Sequence, residues 1–202
     1  MAPRTAGGGL STVDWKDAVP RNWRVLRCAP SAVRGNKELG LSAVMQDGAA
    51  LELLAGNLRE DTEVITAAVK HNGSALRFVA LHLREDRELC TQAVRQDGMA
   101  LQFVPLALHD DRELVMTAMK QNGLALSQLK QAMRTDRGLC MQAVQSNGMA
   151  LKYCPPDLRK DRLLVEAACL SNVRALELAH PDLRGDQELV LWAVGIGGGG
   201  VA

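Results

Sequence analysis

Apolar residues recur along this chain in two alternating phases. Between Asp61 and Glu85, the residues Val64, Ile65, Ala68 and Val69 fall three and four apart. That spacing places them on one face of a helix with about 3.6 residues per turn. After Gly73 a shorter run follows, with Ala75, Leu76 and Val79 sharing a face. Polar residues mark the ends of both runs. Asp61 stands where a helix N-cap would accept from first-turn N–H groups, a contribution of about 1 kcal/mol. Glu63 suits the positive end of the helix dipole. Gly73 predicts the end of the longer helix, in the left-handed conformation glycine enters without steric cost. The Asn or Asp before that position (Asp47, Asn72, Asp97, Asn122, Asn147, Asn172) predicts a turn with local side-chain bonding to backbone.

The pattern then repeats without slippage. The capping acid falls at Asp61, Asp86, Asp111, Asp136, Asp161 and Asp186, always 25 residues apart. Gly48, Gly73, Gly98, Gly123 and Gly148 keep the same step, as do the Ala-Leu pairs from Ala50-Leu51 to Ala175-Leu176. A fixed period of this length is the signature of a stacked repeat array. A 25-residue unit holds one helix of roughly three turns, one of about two, and two tight connections. It is too short for tetratricopeptide or HEAT units, and the alternating leucines of a leucine-rich repeat strand are missing. The expected fold is an all-α, right-handed solenoid of alternating longer and shorter α-helices.

In chain order, residues 1–10 read as a disordered, Gly-rich tail without the apolar core of a secretory signal. Residues 11–194 read as a single repeat domain of about seven units plus a terminal helix, with no internal boundary. Ser11 is the candidate cap of a degenerate first helix containing Trp15, Ala18 and Val19, and Trp23 stands in the glycine column. Asn36 caps the first near-regular unit, and Val173 replaces glycine in the last full one. Residues 195–202 read as a Gly-rich tail.

Three short motifs hold a common phase: Leu183-Arg-Gly-Asp-Gln-Glu-Leu-Val, Ala143-Val-Gln-Ser-Asn-Gly148 and Ala150-Leu-Lys-Tyr153. Together they resemble the repeats of the domain of unknown function 4116 family, over about residues 33–194. The resemblance implies helical repeats, and it brings no catalytic residues to carry over.

Composition narrows the chemistry. Aromatic residues are 3% of the chain, so the core must be Ala, Val, Leu and Met. A net charge of +1 gives no global bias toward nucleic acid or an anionic membrane. No apolar run approaches the roughly 18 residues a membrane span needs. The five cysteines all fall in apolar columns, which points to free thiols in an intracellular, reducing compartment, the cytoplasm or an organelle. His71, His82, His109 and His180 occupy different columns and read as solvated surface groups rather than metal ligands. No Gly-x-Ser-x-Gly elbow or phosphate loop is present, so neither a catalytic activity nor a cofactor is expected.

Two basic columns remain. Arg59, Arg84, His109, Arg134, Arg159 and Arg184 recur two residues before the capping acid; Arg87, Arg112, Arg137 and Arg162 follow one residue after it. The second column opposes the helix dipole at about 0.3–1 kcal/mol, so something should offset it. Pairing with neighbouring acids is the first reading, and a stripe for an acidic partner the second. The expected role is a protein–protein interaction scaffold. The alternative is nucleic acid or another phosphorylated or acidic ligand, bound through Arg84, Arg87, Arg112, Arg134, Arg137, Arg159 and Arg162. Trp192 stands on the outer column of the last helix, where Ala67, Gln92, Thr117 and Gln142 stand elsewhere. It marks a candidate contact, including end-to-end self-association, because a terminal repeat normally shows a polar outer face.

Overall fold

The computed structural model describes residues 14–198. The expectations for residues 1–10 and for Ser11 therefore lie outside the described residues. The chain divides into two compact bodies, Met1–Ala80 and Leu81–Ala202. In the first, α1 (Trp15–Arg21), α2 (Ser31–Arg34), α3 (Lys37–Gln46), α4 (Gly56–Arg59) and α5 (Thr62–His71) alternate with 3-10 helices at Trp23–Cys28, Gly48–Leu53 and Gly73–Phe78. In the second, α6 (Arg87–Gln96), α7 (Arg112–Gln121), α8 (Arg137–Ser146), α9 (Arg162–Ser171), α10 (Pro181–Arg184) and α11 (Gln187–Gly198) alternate with 3-10 helices at Gly98–Phe103, Gly123–Gln128, Gly148–Tyr153 and Val173–Leu178. Short 3-10 pieces such as Leu106–Asp110 close the units. No strand occurs among the described residues, and the fold is an all-α repeat solenoid.

The long helices begin and bury as the pattern predicts. Asp61, Asp86, Asp111 and Asp136 each accept from two first-turn N–H groups, as Asp111 does from Glu113 and Leu114 at 3.0 and 3.1 Å. Val64, Ile65, Ala68 and Val69 of α5 are buried, as are Leu114, Val115, Ala118 and Met119 of α7. Their neighbours on the opposite face are exposed or half-buried.

The shorter helices differ from expectation: they are 3-10 rather than α. Each spans six residues between extended caps and is closed at both ends by i→i+3 bonds, as from Ala125 N–H to Asn122 O at 3.0 Å and from Leu129 N–H to Leu126 O at 3.2 Å. The Asn or Asp before each serves both neighbours. Asn122, at φ −150 and ψ 108, ends α7 by donating its N–H to Ala118 O, and its side chain accepts from Leu124 N at 3.0 Å. With three residues per turn, Gly98, Leu101 and Val104 line up on one buried face.

The glycines are the second departure. Among the described residues none, glycine included, has a positive φ, so none acts as a left-handed cap. What requires glycine is close approach. A Cβ at Gly98 would stand 2.5 Å from the carbonyl oxygen of Ala118 in the next unit's helix. At Gly48, Gly123 and Gly148 the carbonyls of Ala68, Ala143 and Ala168 come closer still. The glycine N–H is satisfied across the same junction: Gly98 donates to Gln121 Oε1 at 2.5 Å, Gly123 to Ser146 Oγ at 3.2 Å and Gly148 to Ser171 Oγ at 3.0 Å. Trp23, in the glycine column, donates likewise to Gln46 Oε1.

Candidate interaction surfaces

The second basic column is a ladder. Each capping aspartate in the second body from Asp111 onward divides its two oxygens between two jobs. Oδ1 accepts from its own helix, and Oδ2 takes the shorter bond from the arginine one unit upstream, with Arg87 and Arg112 also reaching Oδ1 at 3.4 and 3.3 Å. Thus Arg87 pairs with Asp111, Arg112 with Asp136, Arg137 Nε with Asp161 at 2.5 Å, and Arg162 Nη1 with Asp186 at 3.0 Å. Arg87 and Arg162 also reach Glu113 and Glu188, at 2.7 and 3.1 Å. In the first body Lys37 does the same for Asp61 and Glu63, at 2.8 and 2.7 Å. The carboxylate opposite each cation offsets its clash with the dipole of its own helix. The hydrogen bonds from Lys37, Arg87, Arg112 and Arg137 hold the carboxyls of Asp61, Asp111, Asp136 and Asp161 below the usual range, and first-turn N–H groups add to the effect.

In the first basic column Arg59 and Arg184 are exposed, while Arg84, Arg134, Arg159 and His109 turn inward. Arg134 is half-buried, and it donates through Nε to Leu129 O and through Nη2 to Ser127 O, both at 2.9 Å. Arg84 is half-buried, and burial pulls its guanidinium below its ordinary value. Arg159 is also half-buried, with Nε enclosed and unpartnered. His109 departs furthest from its expected solvated position: it is 2% exposed, and neither ring nitrogen has a partner. Its column faces the end of the 3-10 helix, so an imidazole there is carried inward while being too short to reach the carbonyls Arg134 reaches.

The cysteines follow their columns with one exception. Cys90, Cys140, Cys154 and Cys169 are buried, and burial pushes the Cys90 thiol up to about 11. Cys28 is exposed, because its column (Leu53, Phe78, Phe103) lies at the half-buried rim.

The last junction is built differently from those before it. Val173 occupies the glycine column, and a side chain there is incompatible with the approach seen at Gly123 and Gly148. The hydrogen-bonding column of Gln121, Ser146 and Ser171 continues in sequence to Ile196, a residue type with no side-chain acceptor. Accordingly α11 buries Leu189 and Ala193 but leaves Val190 half-buried and Val194 61% exposed, although Val194 stands in the column of buried Val69, Val94 and Cys169. Leu191 is 66% and Trp192 38% exposed, and Leu163, Leu170 and Val173 add to the apolar surface of the same units. A groove of about 380 Å³ opens among Val173, Arg174, Leu176, Glu177, Arg184 and Val190. The α11 backbone also stays helical to Gly198, past the expected end at Val194.

The column of side chains that accept from the glycine N–H groups escaped the sequence reading. Its only signal is that Gln46, Gln121, Ser146 and Ser171 all carry an acceptor at one phase. No helix among the described residues is long and apolar enough to cross a membrane. These features define a tandem helical-repeat protein with a 25-residue unit. The chain belongs to the family described as Domain of unknown function (DUF4116), whose profile matches residues 36–84, 86–134 and 136–184. Each match opens on a capping residue, Asn36, Asp86 or Asp136, and spans two units. No curated protein and no solved structure matches the chain.

Proposed function

We propose that the chain is a non-catalytic scaffold that binds protein partners, with the C-terminal units of the second body as its contact surface. The observation that carries this reading is the exposure of Leu163 and Leu170 on α9 and of Leu191, Trp192 and Val194 on α11, in the same units as a groove lined in part by Val173, Leu176 and Val190. Large apolar side chains left exposed on neighbouring helices mark a candidate interaction site. The arginine ladder supports a nucleic-acid reading less well, because each guanidinium already faces a carboxylate. Phe78 and Tyr153 are also covered by Arg77 and Lys152, 4.4 and 4.6 Å from the ring centres, rather than free to stack on bases.

The test compares the wild-type chain with a Leu191→Ser/Trp192→Ser variant in affinity capture from cells, with light scattering on both. Proteins retained by the wild type and lost from the variant, or a dimer lost on substitution, support the reading. Unchanged capture overturns it. Tight, steeply salt-dependent binding of generic RNA that vanishes on neutralising Arg87, Arg112 and Arg137 replaces it with the ladder reading.

A further inference from the structure

The unit from Asp136 to Lys160 brings two thiols together. Cys140 lies on the buried face of α8, and Cys154 caps the C-terminal end of the 3-10 helix Gly148–Tyr153. They are 0% and 3% exposed. The same two columns touch in the first body, where a Cβ at Gly40 would stand 3.4 Å from Leu54 Cδ1. Other units fill the pair of columns with at least one aliphatic side chain: Ile65 with Val79, Cys90 with Val104, Val115 with Leu129, Val165 with Ala179. Here both are cysteine. The Cys140 Sγ donates to Arg134 O at 3.0 Å and the Cys154 Sγ to Ala150 O at 3.9 Å.

We infer that Cys140 and Cys154 form a dithiol site that a peroxide converts to a disulfide within a single repeat unit. The chemistry assigns the order of events. Cys154 can donate a hydrogen bond to the Cys140 sulfur, which holds the Cys140 thiol below its ordinary value and pushes Cys154 far above. Cys140 is therefore the attacking thiolate, because the thiolate is the nucleophile. Its sulfur attacks one oxygen of hydrogen peroxide, the O–O bond breaks, and the departing hydroxide takes the thiol proton as water. Cys140 is left as a sulfenic acid. The Cys154 sulfur then attacks Cys140, the S–O bond breaks, and the second hydroxide leaves with the Cys154 proton. Two thiols and one peroxide give one disulfide and two waters; each sulfur gives up one electron and each peroxide oxygen accepts one. Because both thiols are buried, the reaction requires transient opening of the unit, and it runs more slowly than oxidation of exposed Cys28.

The experiment treats the purified chain with hydrogen peroxide, blocks remaining thiols with iodoacetamide and digests it with trypsin without reduction. Cys140 and Cys154 fall on different fragments, Gly138–Lys152 and Tyr153–Arg159. The expected product joins the two at a mass two hydrogens below their sum, while Cys90 and Cys169 are recovered alkylated. A Cys154→Val variant, which restores the residue found at Val79 and Val104, should lose the link and leave Cys140 trappable as a sulfenic acid by dimedone. Recovery of Cys140 and Cys154 both alkylated after Cys28 has been oxidised overturns the inference. So does a link that forms only in urea, or one that joins Cys140 to Cys90 or Cys169 instead.

Discussion

Replacing Gly98 by alanine tests the close approach on which every regular junction of the second body depends. The added Cβ would stand 2.5 Å from Ala118 O, 2.9 Å from Gln121 Oε1 and 3.0 Å from Asn122 Cβ. An ordinary carbon–oxygen contact is about 3.4 Å, so backbone must part from backbone by roughly 0.9 Å. Overpacking of that kind costs about 1–3 kcal/mol. Parting also weakens the hydrogen bond from Gly98 N–H to Gln121, worth about 0.5–1.5 kcal/mol. Against this stands about 0.4–1 kcal/mol gained from a less flexible unfolded chain. The net expectation is a loss of about 2 kcal/mol, or about 4–8 °C in the midpoint for a chain of this size. Urea unfolding followed by circular dichroism measures it. Gly56→Ala is the control, since nothing lies within 4 Å of a Cβ there. If Gly98→Ala matches Gly56→Ala to within about 0.5 kcal/mol, the close approach does not set the glycine column and the reasoning fails.

Three further outcomes follow from the ladder and from His109. Asp136→Asn keeps a cap acceptor, as Asn36 shows by accepting from Leu39 N at 3.1 Å, but it removes the charge facing Arg112. Asp136→Ala removes both, so Ala should cost about 1 kcal/mol more than Asn in urea unfolding; equal costs would mean that the cap is idle. The depressed carboxyls of Asp111, Asp136 and Asp161 contribute stability that is fully present above the unfolded value near pH 4. That stability is lost as pH falls through their lower folded values, so the urea midpoint should hold down to about pH 5 and then drop. The drop should shrink in a triple Asp→Asn variant. His109→Arg should stabilise by about 1 kcal/mol, because two unpartnered buried nitrogens give way to the carbonyl-bonded arrangement of Arg134. A lower midpoint for that variant would show that the arginine does not fit beside Pro105 and Leu108.

What the sequence made legible was whatever depends on one residue and its phase. Asp111 as a cap, the buried face of Leu114, Val115 and Ala118, and the outward Trp192 all follow from position within a 25-residue period. What it hid depends on the neighbouring unit. Gly98 looks like a helix terminator because glycine serves two purposes, and only the position of Ala118 O separates them. Arg87 and Arg84 look alike in the chain. One extends to the next unit's aspartate and the other turns inward, because their Cα–Cβ directions differ on either side of the cap. The 3-10 character of the short helices was available in the three-residue spacing of Gly98, Leu101 and Val104, a period easily absorbed into an α reading.

The divided carboxylate of each capping aspartate gives the ladder a direction. Asp136 organises the start of its own helix with Oδ1 while Oδ2 is held by Arg112 from the unit before. The starts of α7, α8, α9 and α11 are therefore each tied to the long helix before them, in a line of pairs from Arg87 through to Asp186. In an array whose units otherwise couple only through adjacent faces, fraying at α6 loosens the first turn of α7 through a released Asp111. Fraying at α11 frees Arg162 but leaves Asp161 held by Arg137. Either loss therefore reaches the neighbouring helix start, through a weakened cap in the first case and, in the second, through the charge of Arg162 at the N-terminus of α9, no longer offset by Asp186 and Glu188.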